Sequence, residues 1–419
     1  MKIKFKIFLL FWLILTFSLR VFGAENISKD KDYDYLKFLG DTIEKIKSDY
    51  VEDVGNKKLV ESAIDGMLTS LDPHSSFLDA DNLKNMKIQT KGEFGGLGIE
   101  VTMENGFVKV ISPIDNTPAY KAGIKSGDYI THLDGESVVG LNLDEAVNIM
   151  RGPIGSKLKV TIGRSNKEPF DLTIKRDIIK ISSVKSRLEK DVGYIRITSF
   201  TEQTSKSTKE AVKKIKKKKK KLKGYVLDLR NNPGGLLEQA VSVSDLFLEQ
   251  GEIVSTRGRD FQNPEIYKAK PGDILDGLPL VVLINEGSAS ASEIVAGALQ
   301  DHKRALLLGT KSFGKGSVQT IIPVKPYGAL RMTTAKYFTP SGKSIQKTGI
   351  EPDILVQEVE LKKIEKKRKT SREKDLKGAL NNPSKVENTK EIKNNNESED
   401  FQLSRALDLV RGISLYKKL

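Results

Sequence analysis

The chain has no cysteine, which excludes a catalytic thiol, disulfide staples, thiolate zinc sites and a lipidated N-terminal cysteine. Its three histidines, His74, His132 and His302, lie far apart, and no His-Glu-x-x-His pair occurs, so the zincin class is excluded too. Proline is sparse, 14 residues against 34 glycines, and 38% of the chain is apolar; neither disorder throughout nor a collagen-like repeat fits. A length of 419 residues holds two to four domains at roughly 100 to 200 residues each, and each can bury a core.

The formal charge of +15 points to a polyanionic partner until its distribution is followed. Lys2, Lys4, Lys6 and Arg20 carry +4, the nine lysines between Lys213 and Lys223 carry +9, and residues 358–419, with 16 basic and 11 acidic groups, carry +5. The remainder is therefore at −3, which argues against nucleic acid as a partner.

The N-terminus has a basic start, a 12-residue apolar run from Ile7 to Ser18, and then small residues. That run falls short of the ~20 residues of a membrane span and fits the core of a signal peptide, residues 1–24, with Val21 and Gly23 at the small positions of a cleavage site. Export to the periplasm or cell envelope is expected, with membrane anchoring if the signal is retained.

Residues 25–85 read as a helical region. Leu36, Leu39, Ile43, Ile46 and Tyr50, then Leu59, Ala63, Ile64, Met67, Leu68 and Leu71, keep helical spacing, and Asp72-Pro73 ends the second helix. Packing or dimerisation is its expected role. Residues 86–175 change to short β-rich runs with glycine turns, a compact mixed β domain. In GEFGGLGIEV the amides of Leu97, Gly98 and Ile99 lie on a Gly-rich loop entering a strand; such a nest can hold a carboxylate while the strand edge pairs with an extended peptide, although a plain hairpin has the same pattern. From 180 to 357, the buried-type runs GYIRITSF, GYVLDLR, PLVVLINE and RALLLGT alternate with helical stretches, which predicts a parallel or mixed sheet covered by helices. The lysine run reads as a solvated face at the end of the helix before GYVLDLR; contact with anionic lipid is the alternative. Residues 358–419 form a charged tail ending in a helix with Leu403, Ala406, Leu407 and Val410 on one face, free to dock on the N-terminal helices.

The densest candidate for chemistry is Asn285-Glu286-Gly287-Ser288-Ala289-Ser290-Ala291-Ser292-Glu293, small residues between an apolar strand and an amphipathic helix. A serine at such a corner has the unpaired N–H groups and positive end of a helix behind a developing oxyanion; helix capping is the competing role. The histidines make poor bases for it. His74 follows the helix stop, His132 sits inside a strand of the β domain, and His302 beside Asp301 reads as a helix-end cation. A lysine can serve instead when burial lowers its pKa toward neutrality, and Lys315 is flanked by glycines directly after a buried strand. Gly309 to Lys315 matches GxxxxGK, but Gly316 replaces the magnesium-binding Ser/Thr and SVQTIIPV is not helical, which argues against a phosphate-binding loop. Ser182/Lys185, Ser312/Lys315 and Ser344/Lys347 match SxxK, but Lys-Thr-Gly at 347–349 overlaps the last of them instead of lying far downstream. Asp228-Leu229-Arg230-Asn231-Asn232-Pro233-Gly234-Gly235 is a strand ending in a tight turn whose amide could be a second oxyanion donor.

From about Leu36 to Gln357, LDPHSSFL, GEFGGLGIEV, TPAYKAGIKSGDYI, DLRNNPGG, GSASASEI, QDHKRA and FGKGSVQ occur in one order, and in this the chain resembles the carboxy-terminal processing peptidases, or tail-specific proteases. The resemblance implies a multi-domain α/β fold: an N-terminal helical segment, a PDZ domain and a mixed α/β protease core. It also implies exported serine endopeptidase activity, with Ser290 as nucleophile, Lys315 as general base and Gln319 orienting the lysine. Ala291 and Gly235, favoured over Gly234, match the oxyanion donors, and Gly96, Leu97, Gly98 and Ile99 match the loop that holds a substrate's C-terminal carboxylate. Its implied partners are proteins or peptides bound by their C-termini, without metal or cofactor. A membrane-surface contact and a homo-oligomer stay open, as does the alternative of a PDZ protein or chaperone that binds without cutting.

Overall fold

The computed structural model describes residues 26–180, 182–359 and 400–417. The signal peptide and most of the charged tail lie outside the described residues. Contacts divide the described chain into two units, one holding the residues up to Asp79 with Thr320–Thr333, the other Ala80–Gln319 with Thr334–Leu419.

In the first unit, helices Asn26–Asp49 and Asn56–Thr69 occupy the stretch of helical periodicity. The Asp72 carboxylate then takes the N–H groups of His74 and Ser75 and fixes the turn after the second helix. Strand Ser76–Asp79 pairs antiparallel with 328–331 of strand Gly328–Phe338. Tyr33, Leu36 and Phe38 remain exposed on the first helix.

In the second unit, six antiparallel strands (Ile99–Glu104, Phe107–Pro113, Tyr129–Leu133, Glu136–Ser137, Lys157–Gly163 and Phe170–Lys175) form the sheet of the β domain, with helix Leu143–Met150. Leu158, Val160 and Ile162 alternate inward with Lys157 and Lys159 outward, the period-2 pattern of a half-buried strand. They pack with Leu97, Val108, Val110 and Ile130. A short ladder of Glu93–Gly96 with Asp177–Lys180 closes the base of this domain.

The remaining core is a six-stranded sheet in the order Val184–Glu189, Val192–Ile197, Gly224–Asp228, Leu280–Ile284, Leu306–Gly309, Ile354–Leu355. Its first pair is antiparallel and the others are parallel. Gly224–Asp228 and Leu280–Ile284 are buried along their whole length, so their apolar runs serve two faces. Leu227, Val282 and Ile284 face a cluster with Val212 and Ile215 of helix Thr204–Lys218, Val243 of Leu237–Asp245, and Val295 and Leu299 of Ala291–Asp301. The lysine run closes the first of these helices, and Lys213, Lys214, Lys217 and Lys218 point outward, where cations suit the negative end of the helix dipole.

The C-terminal helix, Phe401–Tyr416, departs from expectation. Its Leu403, Ala406 and Val410 pack against Tyr194, Val226, Val281, Leu283 and Leu308 on the second face of this sheet, not on the N-terminal helices. The reason is physical: a parallel sheet is apolar on both sides, and three helices cover only one.

One ion pair sets an acid limit on the β domain. Asp128, 1% exposed, takes Nε and Nη2 of Arg164 at 2.6 and 2.7 Å and the Lys125 N–H at 2.8 Å. Burial pushes this carboxyl up, but the Arg164 fork and the Lys125 amide outweigh it and hold it below its ordinary value of 3.8. A depressed pKa means that the pair's stabilisation is complete above about pH 4 and is lost as the pH falls through the lower, folded-state value. Asp128→Asn is expected to cost about 2–3 kcal/mol, at the low end for a broken buried pair because Arg164 keeps 18% exposure. Native-state hydrogen exchange of the Tyr129–Leu133 amides at pH 7, and again as the pH is lowered stepwise below 4, checks both the loss and its decline in acid.

Candidate active site

Three neighbouring parallel strands end side by side, and each is followed by one of the motifs. DLRNNPGG follows Gly224–Asp228, NEGSASASE follows Leu280–Ile284, and TKSFGKG follows Leu306–Gly309. Carboxyl ends of parallel strands are where open α/β sheets place their sites.

The three serines of the second motif have different fates. Ser288 Oγ donates to Leu229 O at 2.8 Å and Ser292 Oγ to Asn232 O at 2.9 Å, both from fully buried positions. They pin the serine turn to the first motif. Ser290 is partly exposed at the N-cap of helix Ala291–Asp301 with φ 55° and ψ −113°, a conformation non-glycine residues rarely adopt. The expected capping position is therefore occupied by the same serine that is the candidate nucleophile.

Glu293, three residues on and fully buried, joins the serine turn to the lysine loop. Its Oε2 accepts the Ser290 N–H at 2.8 Å and the Lys315 N–H at 2.9 Å; its Oε1 accepts the Gly314 N–H at 2.7 Å and the Ser312 hydroxyl at 2.6 Å. Burial pushes this carboxyl up from its ordinary value, against the pull of those four donors. The Gly314 and Lys315 amides that a phosphate-binding loop would offer a nucleotide are thus taken by the protein's own carboxylate. Ser312, the serine of the central SxxK, is likewise engaged: it also accepts the Ile350 N–H at 2.7 Å. The Gly316 N–H donates to Gln346 Oε1 at 2.9 Å, so the backbone that carries Lys315 is held on both sides. Gln319 lies on the following strand, Ser317–Val324, with its Nε2 donating to Ser317 Oγ at 3.0 Å.

The DLRNNPGG turn meets Ser290 directly. A Cβ on Gly234 would come within 2.8 Å of Ser290 Cβ and 3.0 Å of the Ala291 nitrogen, and one on Gly235 within 2.2 Å of Phe200 O, so neither position has room for a side chain. The Gly234 N–H is used internally, on Asn232 Oδ1 at 2.9 Å. The Ala291 and Gly235 N–H groups meet no acceptor among the described residues. Of these two glycine amides, it is that of Gly235 that meets no acceptor among the described residues.

Tyr337 stands at the same site without any signal in the motifs. Its N–H donates to Gly316 O at 3.0 Å, and its hydroxyl is buried with no well-formed hydrogen bond among the described residues. Burial, with the Glu293 charge added, pushes the phenol well above its ordinary value, and the neighbouring Ser290 side chain opposes that. The phenol is neutral at any working pH.

Two of the histidines lie elsewhere in this unit. His132 sits on strand Tyr129–Leu133 with Nδ1 3.0 Å from Thr131 Oγ1. His302 is the C-cap of helix Ala291–Asp301, the opposite end from Ser290, with Nε2 2.6 Å from Glu252 O.

In the β domain, Gly96 ends one strand and Ile99 begins the next. Between them the carbonyls of Leu97 and Gly98 turn inward, to the N–H groups of Ala119 and Ile114, both at 2.9 Å. The N–H groups of Leu97 and Gly98 meet no acceptor among the described residues. Gly98, at φ +81°, faces Thr117 so closely that a Cβ would lie 2.4 Å from its Cβ. A carboxylate could be bound by such a turn.

Comparison with known proteins agrees with this architecture. The profile of Peptidase family S41 matches residues 191–356, that of the PDZ domain residues 95–175, and that of the activating protease CtpB N-terminal domain residues 20–82. A carboxy-terminal-processing protease of Bartonella bacilliformis is 51% identical over 398 residues, 93% of this chain and 92% of that one. The carboxy-terminal processing protease CtpA of Bacillus subtilis is 38% identical over 345 residues, 82% of this chain and 73% of the relative. Among solved structures, a photosystem II D1 C-terminal processing protease shares 31% identity, with 75% of this chain and 86% of that chain covered, at a TM-score of 0.45. Fold and relatives together define a serine peptidase with an inserted PDZ domain. The chain belongs to the carboxy-terminal-processing proteases of peptidase family S41.

Glu293→Gln tests the junction. An amide puts an NH2 where one pair of donors now points, so two hydrogen bonds turn into clashes. A loss of about 2–3 kcal/mol is expected in urea titration. A fall of about 100-fold in fluorophosphonate labelling of Ser290 is expected with it, because the serine turn and lysine loop would no longer be held in register.

Proposed function

We propose that the chain is an endopeptidase that captures proteins or peptides by their C-terminus on the 96–99 loop and cleaves them with a Ser290/Lys315 dyad. The observation that carries this reading is the buried Glu293 carboxylate, which takes the N–H groups of Ser290 and Lys315 on a single oxygen and so fixes the two residues side by side. Lys315, as its neutral amine, takes the Ser290 proton while Ser290 Oγ attacks the scissile carbonyl. The Ala291 and Gly235 amides, at the helix N-terminus and in the glycine turn, receive the oxyanion. The protonated lysine then returns its proton to the leaving amine, and water, activated the same way, releases the acyl group. Gln319 is assigned the orientation of the lysine. Export through the N-terminal signal belongs to the same reading, and the exposed Tyr33, Leu36 and Phe38 support self-association through the first helix.

Ser290→Ala and Lys315→Ala should each lower cleavage of a peptide with an apolar C-terminus by ~10⁴-fold, and the double variant should lose little more, because the two act as one unit. A peptide cut equally by wild type and Ser290→Ala would remove the dyad, and a wild type that binds but never cuts would leave a non-proteolytic PDZ protein. Amidating the peptide's C-terminus should raise KM about tenfold with kcat unchanged, the signature of a carboxylate bound away from the chemistry.

A further inference from the structure

We propose that Asp400, at the start of the C-terminal helix, is a positioning residue for the active site: it holds the Arg230 guanidinium and, through it, the 231–235 turn that carries the Gly235 amide. The inference rests on the oxyanion role assigned above. Arg230 immediately precedes that turn, and its side chain is only 8% exposed. All five of its N–H donors are used. Nε and Nη2 meet the two oxygens of Asp228 at 3.0 and 2.7 Å; Nη1 and Nη2 meet the two oxygens of Asp400 at 3.0 and 2.6 Å; Nη1 also donates to Gln402 Oε1 at 2.9 Å. Three of the five acceptor contacts therefore come from a helix 170 residues away in sequence, outside the stretch matched by the peptidase profile.

The rest of the network fixes the direction of the effect. Asp228 also takes the Tyr194 hydroxyl at 2.7 Å and the Arg230 N–H at 3.0 Å, so strand end and guanidinium form one block. Asp400 caps its own helix through the Leu403 N–H at 3.0 Å, and Gln402 Nε2 holds Val356 O at 2.8 Å. Without Asp400, two donors of a mostly buried guanidinium lose their acceptors, and the cheapest relief is a swing of Arg230. That swing pulls on Asn231, whose N–H is bound to Asn285 Oδ1 at 2.8 Å beside the serine turn.

Arg411 supplies the control. It ties the same helix to Asp191 at 2.9 Å, far along the helix from the turn, so a role in docking alone would make Asp400 and Arg411 equivalent. In the full chain, Asp400→Asn keeps a good N-cap residue and removes the charge. The expected result, measured well below a melting temperature that itself falls as the guanidinium loses its charged partner, is a kcat lower by about tenfold with KM close to wild type, and weaker binding of a peptide aldehyde by the same factor. Arg411→Gln should leave kcat unchanged. Equal kcat in Asp400→Asn and wild type, or equal losses in Asp400→Asn and Arg411→Gln, overturns the proposal. Should Asp400→Asn unfold, Gln402→Met carries the same test with a smaller fall expected, and no fall overturns it. Ser290→Ala, run alongside, separates the failures: activity remaining there removes the dyad itself, whereas an inactive Ser290→Ala with a fully active Asp400→Asn removes only this inference.

Discussion

One buried carboxylate holds the serine turn and the lysine loop together. Glu293 faces four donors, three backbone N–H groups and one hydroxyl, and a carboxylate is the side chain that accepts on both oxygens and donates nothing. Burying a charge is costly, and two features offset the cost here: the four hydrogen bonds, and a position on the first turn of helix Ala291–Asp301, where the helix dipole favours negative charge. The consequence is geometric. Serine turn and lysine loop follow different strands, yet share one oxygen atom, so neither can move without the other. The lysine's backbone is fixed before any substrate arrives.

Beneath this junction, the sheet decides where everything else goes. Its parallel strands place three loops at one edge and expose apolar side chains on both faces. The helices between strands cover one face, and the chain must supply another element for the second. The C-terminal helix does so, and in doing so brings Asp400 to Arg230. A covering element that reaches the DLRNNPGG turn couples the completeness of the fold to the geometry of the site.

The sequence made the site's vocabulary legible and left its grammar hidden. Strand-helix alternation, the glycine turns and the serine-rich corner between strand and helix could be read because each depends on residues within one motif. The ranking of Ser288, Ser290 and Ser292 could not be read locally, since it depends on which hydroxyls meet Leu229 and Asn232, some 60 positions away. Of the contacts of Glu293, only the reach back to the Ser290 N–H, three residues away, is local. The others, to 312–315, need the fold. Tyr337 looks like any strand tyrosine until its hydroxyl is found beside Ser290. The docking of the last helix was illegible for the same reason: its amphipathic face was plain, but the face it covers belongs to four different strands.

The strained backbone of Ser290 follows from these constraints. A non-glycine residue at φ 55°, ψ −113° costs about 1–3 kcal/mol and persists only where its surroundings leave no alternative. Here the chain is fixed on both sides: the Ala289 N–H binds Asn232 O at 2.9 Å, the Ser292 N–H binds Ala289 O at 3.1 Å, and the Ser290 N–H is held by Glu293. Relaxing Ser290 would break one of these bonds, each in a buried setting where a lost partner costs as much as the strain. The strain in turn keeps Ser290 partly exposed while Ser288 and Ser292 are drawn inward. The two neighbouring glycines complete the turn: Gly234 is small enough to lie against Ser290 and Ala291, and Gly235, pressed on the Phe200 backbone, has an N–H that meets no acceptor among the described residues. A side chain at the first would push the turn off the serine, and one at the second would push it off the Phe200 backbone.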